Sequence, residues 1–130
     1  MSSGAANIPI YAASAYCTAK AGLTHFTRVL SREESMLTVV AVRPGVVDTD
    51  MQALLREKGP GAMPTDQASY YHEIKDRGQL KHPFIPARAI AWLSLQAPGS
   101  WSWEFLDYDD PRITAPAANL FGEPHEMLSL

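Results

Sequence analysis

Three side chains near the start of the sequence have the types and the spacing to build a proton-transfer site. Tyr16 precedes Lys20 by four residues, and Ser3 stands thirteen residues before Tyr16. Residues four apart face the same side of a helix, so a helix here would bring the ammonium group of the lysine beside the phenol. A free tyrosine has a pKa of about 10, and a neighbouring cation brings a phenol closer to the neutral range in which proton donors work best.

The Tyr-x-x-x-Lys spacing is a weak signal by itself, because the chain contains five tyrosines. Tyr71 and Lys75 repeat the spacing and serve as an internal comparison. The residue thirteen positions before Tyr71 is Lys58 rather than a serine, and no buried strand with a Pro-Gly turn follows that pair. We therefore interpret the Tyr71 pair as a chance match and the Tyr16 pair as the functional candidate.

The elements around the candidate residues follow an α/β pattern. A helix is predicted from about Ser14 to Arg32, with Ser14 as its N-cap. Leu37 to Arg43 is an apolar, β-branched run typical of a strand covered on both faces, and the sequence "PGVVDTD" then ends it. Ligands bind beyond the carboxyl ends of the strands in open parallel sheets, which places this turn at a binding edge. The helix is expected to direct one set of residues inward: Tyr16, Ala19, Lys20, Leu23, Phe26 and Leu30.

The following residues are predicted to supply a cap and a second strand. Residues 51–58 and 86–96 have helical patterns, and a short strand is expected around Glu104 to Tyr108. The long segment from Met51 to Pro86 is rich in glycine, proline and polar residues. Its length and its place after the turn predict a mobile cap over the substrate.

The end of the chain carries weaker signals. Residues 1–110 are predicted to form the functional domain, and residues 111–130 a loose C-terminal tail. Asp107, Asp109 and Asp110 are expected to form a solvated turn, because no further acids stand at metal-ligand spacing. The three tryptophans are expected to pack in the core or at its edge.

Composition and charge exclude several classes of function. Hydrophobic residues make up 46% of the chain and charged residues 19%, so a packed core is expected. The formal charge of -3, with acids and bases interspersed, argues against nucleic acid or an anionic membrane as a partner. The single cysteine rules out an intrachain disulfide and fits a cytoplasmic location. The four histidines lack metal-ligand spacing, so no metal site is predicted.

These features together resemble the short-chain dehydrogenase/reductase family over Ser2 to about Asp110. The sequences "YCTAKAGLTHFTRVLSRE", "VRPGVVDTDM" and "FLDYDD" are similar to its carbonyl-reductase branch, near fungal benzil reductases and sepiapterin reductase. The resemblance implies an α/β fold with a Rossmann-type doubly wound parallel sheet. It also implies reduction of a ketone or diketone carbonyl to an alcohol by hydride transfer from a nicotinamide cofactor, with NADP preferred to NAD.

The resemblance assigns a catalytic role to each residue of the first motif. Ser3 would bind the substrate carbonyl and Tyr16 would donate the proton. Lys20 would bind the cofactor ribose, together with Tyr16, and would assist the proton transfer. The implied partner is therefore a small-molecule carbonyl substrate, and the helix Ser14–Arg32 is a candidate contact for a homo-oligomer.

The same resemblance assigns the second motif to the cofactor. Pro44 and Gly45 would shape the turn after the strand. The backbone of Val47 and the hydroxyl group of Thr49 would contact the nicotinamide carboxamide and a nearby phosphate. No metal enters the implied reaction.

Family members carry a first half that is not found in these residues. It contains a Gly-rich turn for the cofactor diphosphate, the residues that choose between NAD and NADP, and an Asn of a catalytic tetrad. No G-x-x-x-G-x-G occurs in the 130 residues, so we expect the carboxyl-terminal portion of the sheet without the dinucleotide-binding half. Two functions stay open: the catalytic half of an NADP-dependent carbonyl reductase, or an inactive truncated remnant that associates with another protein.

Overall fold

Two short parallel strands form the sheet on which the candidate site depends. The computed structural model of the chain describes residues 1–122. Strand β1 (Ala41–Arg43) pairs in parallel with β2 (Phe105–Asp107), and Val42 lies opposite Leu106. The backbone N–H of Ser2 donates to the carbonyl of Val42 at 2.8 Å, so the start of the chain lies along the other edge of β1. The predicted α/β arrangement with parallel strands is confirmed.

Both strands are shorter than the sequence predicted. The prediction began the first strand at Leu37, whereas regular pairing starts at Ala41. Trp103 has a φ of 72°, a left-handed backbone conformation that bends the partner segment out of a regular strand. Its N–H still donates to the carbonyl of Val39 at 2.7 Å, and Ser102 Oγ accepts from the Val39 N–H at 3.1 Å. The upstream residues are therefore paired, but through irregular contacts.

Five α-helices account for most of the remaining residues. The helix α1 spans Ser14–Glu33, close to its predicted bounds, although Ala13 rather than Ser14 occupies the N-cap position. The cap segment contains the helix predicted at residues 51–58 and a second helix after it. The other helices are α2 (Asp50–Lys58), α3 (Thr65–Asp76), α4 (Phe84–Gln96) and α5 (Pro111–Phe121). Among the helices in residues 1–122, none is both long enough and apolar enough to cross a membrane.

The hydrophobic core lies between the sheet, α4 and α5. Trp92 of α4 is buried there, with Trp101 at its edge, and their ring centroids are 5.9 Å apart. Trp103 is 60% exposed, so the prediction that all three tryptophans pack in or beside the core is wrong for this one. The buried core residues are Val42, Ala89, Trp92, Leu93, Leu106, Tyr108, Ile113 and Ala117.

The prediction of a loose tail is wrong for residues 111–121. They form α5, in which the side chain of Ile113 is fully buried and Ala117 is almost so. Asp110 caps this helix by accepting a hydrogen bond from the Arg112 N–H at 2.9 Å, and Pro111 occupies the first turn, where a missing N–H costs nothing. The remainder of the predicted tail, residues 123–130, lies outside the described residues.

We expect Ile113→Ala to lower the free energy of unfolding of the chain by about 2 to 5 kcal/mol, because it leaves a cavity in the core. Leu120 lies on the same helix with 52% exposure, so Leu120→Ala should change that energy by less than about 0.5 kcal/mol. Urea titration followed by tryptophan fluorescence measures both variants. Equal unfolding midpoints for the two variants would show that α5 does not belong to the core.

The inward face of α1 differs from the predicted one. Thr24 and Thr27 are the buried residues of the helix, whereas Leu23 and Phe26 are 38% and 54% exposed. The hydroxyl groups of both threonines donate to carbonyls of their own helix at 2.9 Å, Thr24 to that of Lys20 and Thr27 to that of Leu23. Their polar atoms are thus satisfied, and the two side chains pack as small buried groups. The expected inward position of Leu23 and Phe26 is wrong.

Candidate active site

The start of the chain and α1 bring the candidate catalytic residues into one region. Ser2 is buried, and its Oγ lies 2.6 Å from Thr24 Oγ1 in α1. The Nζ of Lys20 donates to the carbonyl of Met1 at 3.2 Å. The two residues that precede Ser3 are therefore bound to the part of α1 that contains Lys20 and Thr24.

Tyr16 and Lys20 form a direct pair on α1. Both side chains are half-buried, and the Lys20 Nζ lies 5.6 Å from the centre of the Tyr16 ring. A cation at this distance is attracted by the electron-rich ring face. The Met1 carbonyl and the Tyr16 ring thus provide the partners that a partly buried ammonium group needs, while the phenol keeps a positive charge one helical turn away.

Ser3 occupies the N-cap of a short 3₁₀ turn formed by Gly4–Ala6. Its Oγ accepts a hydrogen bond from the Ala5 N–H at 3.2 Å. A serine hydroxyl group can accept and donate at the same time, so this contact orients the oxygen and leaves its own hydrogen for another acceptor. The geometry suits a donor to a substrate oxygen.

The turn after β1 depends on a contact that only glycine permits. Gly45 has a φ of 73°, and a Cβ atom at this position would lie 2.7 Å from Tyr108 Cε1. Tyr108 is a buried core residue that directly follows β2. Pro44 and Gly45 thus turn the chain away from β1. Gly45 packs against the ring of Tyr108, which directly follows the neighbouring strand.

Val47 and Thr49 follow this turn in extended backbone that pairs with a later segment. The Lys81 N–H donates to the carbonyl of Val46, and the Lys81 carbonyl accepts from the Asp48 N–H, both at 2.9 Å. Peptide groups alternate in direction along extended backbone, so the Val47 N–H points away from Lys81. Thr49 is exposed just before α2, and its hydroxyl group donates to the Val47 carbonyl at 3.3 Å.

The second Tyr-x-x-x-Lys pair lies on α3 and has a different environment. Tyr71 is buried, and burial, with smaller effects of Tyr70 and Cys17, raises the pKa of its phenol. The Nζ of Lys75 binds Asp48 Oδ2 at 2.7 Å instead. This Lys75–Asp48 ion pair was missed by sequence reasoning, because it joins residues 27 positions apart that share no pattern.

Two acidic residues near the end of β2 form ion pairs instead of lying in a solvated turn. The Asp107 carboxylate forms a two-pronged ion pair with Arg43, its register partner on β1. Asp110 pairs with Arg112, and the hydrogen bond from that guanidinium lowers the pKa of the Asp110 carboxyl. The predicted solvated turn is therefore wrong for these two residues. Within residues 1–122, no group of three or more His, Cys, Asp or Glu side chains is arranged to bind a metal ion.

Comparison with known proteins identifies the family of this arrangement. A family model described as short chain dehydrogenase matches residues 1–60, which include both candidate motifs. A benzil reductase that forms (S)-benzoin, from Saccharomyces cerevisiae, is 36% identical over 117 residues, covering 87% of this chain and 44% of the relative.

Two solved structures from the same yeast share the fold. The crystal structure of a short chain dehydrogenase/reductase superposes with a TM-score of 0.84 at 37% identity, over 88% of this chain and 46% of that one. A second, described as a cytoplasmic protein with unknown function, gives a TM-score of 0.62 at 35% identity, over 88% and 45%. The chain spans less than half the length of each of these proteins. The sequence motifs, the parallel α/β arrangement and these relatives together support the chain as a member of the short-chain dehydrogenase/reductase family.

Proposed function

We propose that this chain supplies the catalytic and substrate-binding part of an NADP-dependent carbonyl reductase that acts on ketones or diketones. The observation that supports the proposal is that Met1 and Ser2, which directly precede Ser3, bind α1, the helix that carries Tyr16 and Lys20. The likeness to a benzil reductase supports an aromatic diketone as the substrate class.

In the proposed reaction the chain provides the proton and the orientation. When bound, the reduced nicotinamide supplies the hydride to the carbonyl carbon. Ser3 donates a hydrogen bond to the carbonyl oxygen, and the Tyr16 hydroxyl group transfers its proton to that oxygen as negative charge develops there. The Lys20 ammonium group, one helical turn from Tyr16, stabilises the phenolate that remains.

The groups after the turn fit the cofactor edge of such a site. The Val47 N–H points away from its strand partner, and the exposed Thr49 hydroxyl group bonds to the Val47 carbonyl at 3.3 Å. An N–H donor and a hydroxyl group two residues apart match the acceptor and donor groups of a carboxamide. We propose that these two residues bind the nicotinamide carboxamide and that Lys20 also binds the ribose hydroxyl groups. The preference for NADP over NAD rests on the resemblance to carbonyl reductases.

The helices α2 and α3 are the proposed substrate cap. They follow the cofactor turn directly, and Tyr71, Ala68 and Ile74 form the buried face of α3. Exchanging residues 51–86 for those of a related reductase should then change the preference among carbonyl substrates more than the KM for NADPH. We place the reaction in the cytoplasm, in line with the description of the second yeast neighbour.

A second candidate function is association through α1. Leu23, Phe26 and Val29 are 38%, 54% and 37% exposed on one side of this helix. Such an apolar face suits contact with another protein surface. We propose it as a subunit contact of the reductase, and an inactive remnant would use the same face to bind a partner.

The test uses two proteins: the 130-residue chain, and a joined reductase in which this chain follows the first half of the yeast benzil reductase. The initial rate of NADPH oxidation with benzil is measured for both. We expect the joined reductase to be active and the 130-residue chain to show no measurable rate, because it contains no Gly-rich turn for the cofactor diphosphate. A folded joined reductase without activity would favour association as the function. Full activity of the 130 residues would contradict the assignment of cofactor binding to another segment.

A further inference from the structure

The chance Tyr-x-x-x-Lys match on α3 places a lysine where it contacts the cofactor turn. We infer that Asp48 and Lys75 are positioning residues: their ion pair sets the distance of the cap helix α3 from the turn that carries Val47 and Thr49, and thereby the affinity for the carbonyl substrate. The effect on substrate affinity rests on the proposed function. The effect on α3 itself does not.

The geometry of this pair is that of a bridge between two elements. Lys75 lies in the last turn of α3, and its Nζ is 2.7 Å from Asp48 Oδ2. Asp48 stands between Val47 and Thr49, so its side chain is bonded to α3 while its backbone belongs to the proposed cofactor edge. The hydrogen bond from Lys75 is the largest cause of a lowered pKa of the Asp48 carboxyl, which keeps the carboxylate charged.

A second contact joins the same two segments a few residues later. The backbone of Lys81 bonds to Val46 and to Asp48, each at 2.9 Å. The chain leaving α3 is therefore attached to the turn independently of the ion pair. Lys75 adds the contact that decides where the end of the helix itself lies, because the Lys81 bonds constrain only the segment after it.

A third contact attaches α3 to the other cap helix. The Nε2 of His72 lies 3.2 Å from the carbonyl oxygen of Arg56 in α2. The buried side chains of α3 add apolar packing, which is non-directional. The directional contacts of α3 with the turn are thus the Asp48–Lys75 pair and the backbone bonds that follow it.

The expected effect of breaking the ion pair is small, because both of its side chains are exposed to solvent. The side chains of Lys75 and Asp48 are 47% and 43% exposed. Exposed ion pairs are weak and change an equilibrium by about two- to fivefold at most. This is too little to decide whether the chain folds, but it changes the ratio of α3 held against the turn to α3 released from it by the same factor.

Amide hydrogen exchange of the full 130-residue chain tests the bridge without reference to activity. We expect Lys75→Gln to speed exchange in residues 65–76 by about two- to fivefold, with little change in α4. Arg77→Gln is the matched control, because it also breaks an exposed ion pair, at 3.2 Å, but that pair joins Glu73 of α3 to the C-cap residue of the same helix and does not reach the turn. Raising the salt concentration to about 1 M should bring the unsubstituted chain to the rate of Lys75→Gln, since salt screens exposed pairs.

The exchanged pair Asp48→Lys with Lys75→Asp should restore slow exchange in α3. In the joined reductase, Lys75→Gln should raise the KM for benzil about two- to fivefold and leave kcat and the KM for NADPH unchanged. Equal exchange of α3 in Lys75→Gln, Arg77→Gln and the unsubstituted chain, whatever its rate, would overturn the inference. A joined reductase without activity would contradict the proposed function. The exchange rates would still show whether the Asp48–Lys75 ion pair holds α3 against the turn.

Discussion

Replacing Tyr16 with phenylalanine in the joined reductase is expected to lower kcat by a factor of about 10² to 10⁴, the range that a general acid contributes. The substitution removes only the phenol oxygen. The ring stays 5.6 Å from the Lys20 Nζ, so the packing of α1 is preserved. The KM for NADPH should change much less than kcat, because the lost group acts mainly in the transition state. The measurement is the initial rate of NADPH oxidation over a range of benzil concentrations.

Two other substitutions test whether the loss of activity is specific to the proton donor. Ser3→Ala should be milder than Tyr16→Phe, because it removes a hydrogen bond to the substrate oxygen and not the proton itself. Tyr71→Phe should be close to neutral, since the neighbouring Lys75 binds Asp48 and burial raises the pKa of the Tyr71 phenol. Activity that survives Tyr16→Phe but is lost with Tyr71→Phe would reverse the assignment of the two Tyr-x-x-x-Lys pairs.

Gly45→Ala is expected to be the most harmful substitution in the cofactor turn. Its φ of 73° disfavours any side chain, and the new Cβ would lie 2.7 Å from the ring of Tyr108, which is buried and cannot move freely. Strain of this kind costs about 1 to 3 kcal/mol before the clash is counted. We expect a loss of at least that size in the free energy of unfolding. The KM for NADPH should rise as well, because Val47 and Thr49 follow the turn.

Two glycines of the cap separate the causes of this loss. Gly78 has a φ of 63° but no atom within 4 Å of a Cβ, so Gly78→Ala measures backbone strain alone. Gly61 has neither a positive φ nor a close neighbour, so Gly61→Ala should be neutral or slightly stabilising. Urea unfolding of the three variants gives the comparison. If Gly45→Ala costs no more than Gly78→Ala, the contact with Tyr108 does not shape the turn.

The order of elements around the site was largely predictable, because it depends on patterns within short stretches. The apolar periodicity from Ser14 onward predicted α1 within a residue of its observed end. The unbroken apolar run ending at Arg43 predicted a parallel strand, and Glu104–Tyr108 contains its partner. Tyr16 and Lys20 could be paired from spacing alone, since one helical turn separates them in any α-helix.

The contacts between elements could not be predicted in the same way. An apolar stripe on α1 indicated Leu23 and Phe26 as its inward side, but Thr24 and Thr27 are the buried residues. Their burial is tolerated because their hydroxyl groups bond to the carbonyls of their own helix. The sequence after residue 110 gave only weak helical signals, yet it forms α5, in which Ile113 is fully buried. This helix is stabilised by packing against the sheet and α4, which a local sequence pattern does not reveal.

Residue types and their spacing were enough to indicate which side chains could do chemistry, the family that they resemble and the local elements that carry them. The packing of Gly45 on Tyr108, the hydrogen bond from Lys20 to Met1 and the ion pair of Lys75 with Asp48 became visible only in the folded chain. The difference lies in the sequence separation of the residues involved. Helical and strand periodicity arises from neighbours a few residues apart, whereas these contacts join residues 19 to 63 positions apart, whose meeting depends on how the whole chain packs.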